Sequence, residues 1–393
     1  MRVIYYIRRI VRSGGTKVLF QHVRALRGCG IQAELLTRQH RYANFYSLEP
    51  AVIHKLNDRR LNADIAVVTR PSDLPPMVAA LTNTETILCH FLQGDTVGDM
   101  RSRLRSVKAL RKIARSPLNS LKEMITLYRR FRRIEKVYRM PTEKFAVSSH
   151  LCRLIEDGYG QRCFEMPNGV DLSIFTPLEG SPQDHGLWRL ISIGSLKMKV
   201  KGIQDVLSAV AWLKRKGYPI HFTRVSIDPE TDIERNSGLV DSYLCSLSER
   251  EVAQALRQSH LLLVGSLEAE GFGLPALEAM ACGIPCVLTR IPCYLAWGSS
   301  FDFAHFVPPR KPEEMALGVV RLMKDRDYHK RIRQKGFEIA RRYSLDLLGD
   351  RLVAYFGHLL NEKDQSRTRK SSLNPVVYFP RKRGKVSSDR NAV

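Results

Sequence analysis

The chain has 393 residues, 44% of them hydrophobic and 26% charged, and its 63 Lys and Arg against 39 Asp and Glu give a formal charge of +24. That length suits two globular domains with full cores, and no run approaches the ~20 apolar residues of a membrane-spanning helix. Zinc-finger, RNP-type and basic-zipper patterns are missing, so the charge does not indicate specific nucleic-acid recognition; eight scattered cysteines without a C-x-x-C or completing histidine pair speak against a zinc cluster and suit reduced thiols in the cytosol.

From the N-terminus, Met1–Ile7 is a strand-like run, and the arginines scattered around it (Arg2, Arg8, Arg9, Arg12) interrupt any signal-peptide core. Ser13-Gly14-Gly15 open a helical pattern (Val18, Leu19, His22, Val23, Leu26), Gly28-Cys29-Gly30 end it, and Gln32–Leu36 alternates as a second strand. Strand-like Thr86–Leu88 leads into Cys89-His90-Phe91-Leu92-Gln93-Gly94. A histidine just past a strand's carboxyl end faces the ligand crevice of an open α/β sheet, so His90 is a candidate ligand contact; a satisfied structural histidine is the alternative.

Residues 101–144 hold fifteen Lys and Arg against Glu123, Glu135 and Glu143, a net of +12. Leu104, Val107, Leu110 and Ile113, then Leu121, Met124, Ile125, Tyr128, Phe131 and Ile134, recur at three and four, with a break at Ser116-Pro117. This is a basic amphipathic helical pattern. The stripe in 121–138 is expected to pack on a domain core, and 101–115 to lie on anionic headgroups.

Further on come Met166-Pro167-Asn168-Gly169-Val170-Asp171 with Phe175 and Pro177, then Leu190–Ile193 with Gly194, Ser195 and the basic Lys197-Met198-Lys199-Val200-Lys201-Gly202. Leu247–Leu256 reads as a helix and Ser259–Ser266 as a strand. Residues 265–288, GSLEAEGFGLPALEAMACGIPCVL, follow, with Glu270 and Glu278 eight apart, Gly271-Phe272-Gly273 after the first and Pro275 between them. Glycines allow positive φ and close ligand approach, and proline suits a first helical turn. The helix expected from Leu274–Pro275 aims free N–H groups and a positive dipole end at an anion such as phosphate. Glu278, about one turn in, can offer a carboxylate to ribose or sugar hydroxyls. Acidic residues in a first turn also serve the dipole alone. Asp325-Arg326-Asp327, between helical patterns at 312–324 and 328–341, reads as a solvated turn and not as a metal-holding D-x-D. The tail from Asn361 has nine Lys and Arg, Pro375 and Pro380, and few apolar residues, so disorder is expected.

Taken in order, these segments resemble the retaining GT-B glycosyltransferases of group 1 (family 4). The match is to the E-x7-E signature at 270–278 with its G-F-G and E-A-M-A-x-G, to the P-N-G-V-D hinge, and to the G-R-L-x-x-x-K-G loop; it covers about 1–360 and is loose in 37–145. The resemblance implies an α/β fold of GT-B type, two Rossmann-like doubly wound domains facing across a cleft. It places an acceptor domain in 1–170, a nucleotide-sugar domain in 171–345, a helix crossing back in 346–360 and a basic tail in 361–393. It implies that Glu270, Lys201 and His90 serve the reaction. Gly14, Gly15, Lys197, Lys201, Gly271, Phe272, Gly273, Leu274 and Glu278 would hold the donor, the diphosphate gripped by Lys201 and the loop amides, the ribose by Glu278. Neither metal nor cofactor is expected.

Two positions depart from the pattern. Ser195 replaces the arginine of the loop, its charge left to Lys197, Lys199 or Lys201 alone; His260 stands where aspartate is usual. The expected partners are a nucleotide-sugar donor, a saccharide or lipid-linked acceptor and an anionic membrane surface through residues 101–144, with no specific nucleic acid. The expected place is the cytoplasm, peripheral at the inner membrane face. The alternatives are a non-catalytic polyanion- or membrane-binding protein on the same scaffold, favoured by Ser195, and a sugar-nucleotide epimerase.

Overall fold

The computed structural model of the protein describes residues 1–39, 50–98, 100, 117–178 and 186–372, with side chains left undescribed in 117–123 and 366–372. Short apolar runs become strands buried on both faces, as parallel sheets covered by helices require. Val3–Ile7 are all within 2% of complete burial, and Leu261–Leu263 are wholly buried.

The first sheet holds β1 (Arg2–Ile7), β2 (Gln32–Thr37), β3 (Ala51–Val52), β4 (Ile65–Val68), β5 (Ile87–Leu92), β6 (Glu143–Ala146) and β7 (Phe164–Glu165) in the order β3-β2-β1-β4-β5-β6-β7. The second holds β8 (Trp188–Ile193), β9 (Ile220–Ser226), β10 (Ser242–Cys245), β11 (Leu261–Val264), β12 (Cys286–Thr289) and β13 (His305–Val307) in the order β10-β9-β8-β11-β12-β13. All described pairings are parallel. In each sheet the winding reverses at the first strand, β1 or β8. Ligands of such sheets bind beyond the strand ends at that reversal, where the loops 8–13 and 194–202 lie.

The helices that position the site are α1 (Gly14–Gly28), α2 (Leu74–Leu81), α3 (Pro117–Tyr138), α4 (Ser149–Tyr159), α5 (Ile203–Arg215), α6 (Glu249–Arg257), α7 (Leu274–Ala281), α8 (Pro312–Lys324), α9 (Arg326–Arg341) and α10 (Leu345–Ser372). Asp325 caps α9 by accepting from Tyr328 N at 2.9 Å, which accounts for the D-x-D as a helix start. The chain re-enters the first domain at a parallel bridge: Val170 N–H donates to Tyr343 O at 2.7 Å and Leu345 N–H to Val170 O at 3.1 Å. From there α10 buries Leu348, Leu352, Tyr355, Phe356 and Leu359, with Tyr355 and Phe356 edge-on to Phe145 of β6.

Two expectations change. Helix α10 runs to Ser372, so 361–372 are helical rather than disordered; ion pairs Arg162–Glu362 (3.3 Å) and Lys363–Glu85 (2.9 Å) fasten this stretch to the first domain. The remaining tail, 373–393 with Arg381-Lys382-Arg383, lies outside the described residues. The stripe in 121–138 is a core stripe only at its end. Ile134, Val137 and Tyr138 are buried, but Ile125 and Tyr128 are 43% and 54% exposed among Arg129, Arg130, Arg132 and Arg133. Residues 101–116, the other half of the basic stripe, lie outside the described residues.

Candidate active site in the interdomain cleft

The glutamate loop is built by close backbone approaches that only glycine permits. Gly202 has φ +58°, and a Cβ there would meet Gly265 O at 1.7 Å. The absence of both side chains lets the 194–202 loop lie against the strand end of β11. Leu267 N–H then donates to Val200 O at 2.8 Å. This brings Lys201 to Glu270: its Nζ stands 2.8 and 3.1 Å from the two carboxylate oxygens. Ser266 donates to the same carboxylate at 3.1 Å and is itself met by Tyr294 OH at 3.1 Å. Glu270 is 8% exposed.

Gly273 caps α7 with φ +88°, packed so that a Cβ would strike the Tyr294 ring at 2.1 Å, and Pro275 follows in the first turn. Proline has no N–H to leave unpaired there. Glu278, 6% exposed, projects from this helix to Lys17 Nζ at 2.6 Å. Lys17 comes from α1 of the first domain, and its ammonium also pairs with Glu249 at 2.7 Å. Burial works against its proton, but Glu278 and then Glu249 outweigh it and hold the lysine above its usual range.

The facing wall is the first domain's strand ends. Ser13 caps α1 by accepting from Thr16 N at 3.2 Å. Gln93, just past β5, donates to Gly15 O at 3.1 Å, and a Cβ on Gly271 would meet Gln93 O at 2.0 Å. Ser148 donates to Gly271 O at 2.9 Å across the same gap. The glycine loop, Gln93 and the glutamate loop are therefore one contiguous surface, with open space over Gly14. Chemically, two ammoniums, two buried carboxylates and a helix N-terminus converge on one cleft. That set fits an anion joined to a polyol.

Residues 188–325 match the family model described as "Glycosyl transferases group 1". Over this stretch, about a third of its length, the chain is similar to the group 1 glycosyltransferases. It is 32% identical over 166 residues to MMP alpha-(1->4)-mannosyltransferase of Mycolicibacterium hassiacum, covering 40% of this chain and 39% of that protein. To phosphatidyl-myo-inositol mannosyltransferase of Mycobacterium leprae it is 24% identical over 220 residues, 54% of this chain and 58% of that protein. The chain thus spans about two fifths to three fifths of these relatives. Among solved structures, HepE of Anabaena in complex with UDP and glucose superposes with a TM-score of 0.70 at 14% identity, covering 91% of this chain and 100% of that one. The fold is GT-B.

Of the residues expected from the sequence, the structure brings Glu270, Lys201, Gly271, Gly273, Leu274, Glu278, Gly14 and Gly15 to the cleft walls. Three expected residues sit differently. His90 is inside β5, 1% exposed and edge-on to Tyr138; burial, with Lys144 nearby, pushes it down to about 3. The strand runs four residues further than the pattern suggests, to Leu92, so Gln93 takes the rim position. Phe272 spends its side chain on Trp297 and Tyr343, leaving only its backbone near the cleft. Lys197 is exposed and reaches Asp228 at 3.5 Å, and Ser195 donates to the same carboxylate.

Lys17, Gln93, Ser148, Glu249 and Ser266 were not singled out by sequence. Lys17 left one signal: a cation in a helix's first turn opposes the dipole. His150 connects to the glutamate loop through Ser148, its Nδ1 2.9 Å from the Ser148 Oγ that donates to Gly271 O; burial and then Arg153 push it down to about 4.

Proposed function

We propose that the chain transfers a sugar from a nucleoside-diphosphate donor, held at the glutamate loop, to an acceptor on the first domain, with retention of configuration. The observation that carries this is the convergence of the Lys201–Glu270 pair and Glu278 on the start of α7. The departing diphosphate gathers charge as the glycosidic bond breaks. Lys201 has three N–H donors; with Glu270 fixing its direction, it and the amides of Gly271–Leu274 are preorganised for that charge. Losing one such contact typically costs about 3 kcal/mol of barrier. Glu278 serves the ribose hydroxyls and Glu270 the transferred sugar.

The fold shared with a UDP-bound structure supports a nucleotide donor. A relative named for a phosphatidylinositol acceptor supports a lipid-linked or saccharide acceptor of the cell envelope. Among the described residues no helix is long and apolar enough to cross a membrane. Contact with an anionic membrane, at its cytoplasmic face, is assigned to the exposed side of α3, where Ile125 and Tyr128 stand among arginines.

Incubation with UDP-, GDP- and ADP-sugars, followed by proton NMR, tests the reaction. Slow donor hydrolysis that first yields the donor's own anomer, and that Glu270→Ala abolishes, is the expected result. An epimerised sugar nucleotide, or no turnover with any donor, refutes it.

A further inference from the structure

Away from the glutamate loop, the first domain carries a second charged feature at the same strand edge. In the parallel register Ile7 is level with Thr37 and Tyr6 with Val68. Arg8, Arg38 and Arg70 therefore follow three adjacent strands, which lie about 4.8 Å apart. Backbone hydrogen bonds fix them to one another. Arg38 N–H donates to Arg8 O at 3.3 Å, Asp73 N–H to Arg70 O at 2.9 Å, and Arg8 N–H to Asp73 Oδ2 at 3.0 Å. Arg9 is oriented by its Nε bond to Gln39 Oε1 at 2.9 Å, and Arg38 by Nη2 to His54 O at 3.0 Å.

These strand ends hold the four arginines around Tyr6 and Asp73: Arg9 acts on Arg70, Arg8 and Arg38 act on Tyr6, and among the described residues the carboxylate acting on both Arg70 and Tyr6 is that of Asp73. Asp73 is 3% exposed and already receives Arg8 N–H and the Ser72 hydroxyl. Burial, with Arg9 nearby, lowers the Arg70 pKa despite Asp73, and the Tyr6 phenol lies within reach of Asp73, Arg38 and Arg8. Like charges held together by backbone geometry repel unless an anion joins them. Arginine's planar fork suits phosphate oxygens two at a time. Arg12, three residues on from Arg9, bonds the carbonyls of Ser246 and Leu247, so the loop that carries Arg8 and Arg9 reaches the second domain.

We propose that Arg8, Arg9, Arg38 and Arg70 form a subsite for a phosphate or diphosphate group on the acceptor. This rests on the acceptor lying on the first domain, as proposed above. A surplus of several positive charges matches a phosphate or diphosphate better than the single charge of an acidic sugar.

Calorimetric titration with inorganic pyrophosphate, with glucuronate in parallel, tests it on three chains: wild type, Arg8→Gln/Arg70→Gln, and Lys201→Ala. Pyrophosphate should bind the wild type, weaken at least tenfold on the arginine variant, and keep a site within about threefold of wild type on Lys201→Ala. Glucuronate should bind at least tenfold more weakly than pyrophosphate. Arg38→Gln provides a second variant should the double one fail to fold. No pyrophosphate binding, equal binding by the arginine variants, complete loss on Lys201→Ala, or glucuronate equal to pyrophosphate each overturns the subsite. Melting of the same chains with nucleoside diphosphates reports separately on the donor reading, so either idea can fail alone.

Discussion

Glu270 and Glu278 are both met by lysines, but from different sides of the cleft, and they answer to different tests. Lys201 belongs to the same domain as Glu270, whereas Lys17 crosses from the other to reach Glu278. On the proposed ribose role, Glu278→Ala should raise the donor KM at least tenfold; unchanged donor saturation contradicts the assignment. Glu270→Ala should lower kcat at least a hundredfold while nucleotide binding stays measurable by calorimetry, and retained turnover would make Glu270 structural. A pH effect sits at the same scale. Burial pushes the pKa of His22 down to about 3, from an ordinary 6.5. Below 6.5 the unfolded chain takes up a proton that the folded chain refuses, so stability falls as pH drops from about 6.5 toward 3, by up to ~1.4 kcal/mol per pH unit. His22→Gln should flatten that slope in denaturant unfolding series; an unchanged slope would mean that His22 titrates freely. The glutamates and glycines were legible because their chemistry is local, eight residues from end to end. Lys17 was not, because its partner lies 261 residues away. His90 misled because a strand's end is not marked by its apolar run.

Helices α10 and α3 show the same contrast one level up. The crossing helix was expected from the resemblance alone, and its anchor is Phe356, wholly buried beside Phe145 and Tyr355. Phe356→Ala should cost about 3–5 kcal/mol in chemical denaturation; a loss under 1 kcal/mol would mean that α10 is not integral to the first domain. Its extension past Leu360 was hidden, since the ion pairs that fasten it involve Arg162 and Glu85 far along the chain. In α3 the periodicity was plain, but periodicity reports a face and not what covers it. Its final turns pack and its middle is exposed at Ile125 and Tyr128. Ile125→Asp/Tyr128→Asp should cut sedimentation with vesicles containing phosphatidylserine at least fivefold, and 0.5 M salt should weaken wild-type binding. Equal sedimentation of both chains would leave α3 without a membrane role.

For the whole molecule, two sheets reverse their winding at their first strands and set those edges face to face. Loops 8–13 and 194–202 thereby become the two walls of one cleft, joined by Arg12, by Lys17–Glu278 and by Arg24–Asp171. The fold class was legible from alternating strands, glycine turns and helices; the contacts across the cleft were not, because they depend on how two separately folded units meet. Everything functional depends on that cleft taking a nucleoside diphosphate. Thermal melting against UDP, GDP and ADP, each at 1 mM, measures this directly. A nucleotide at 100 times its Kd adds about 2.7 kcal/mol of stability, so at least one should raise the Tm by several degrees, and Lys201→Ala and Glu278→Ala should each reduce that rise. No rise with any of the three, or an equal rise in both variants, would contradict the account.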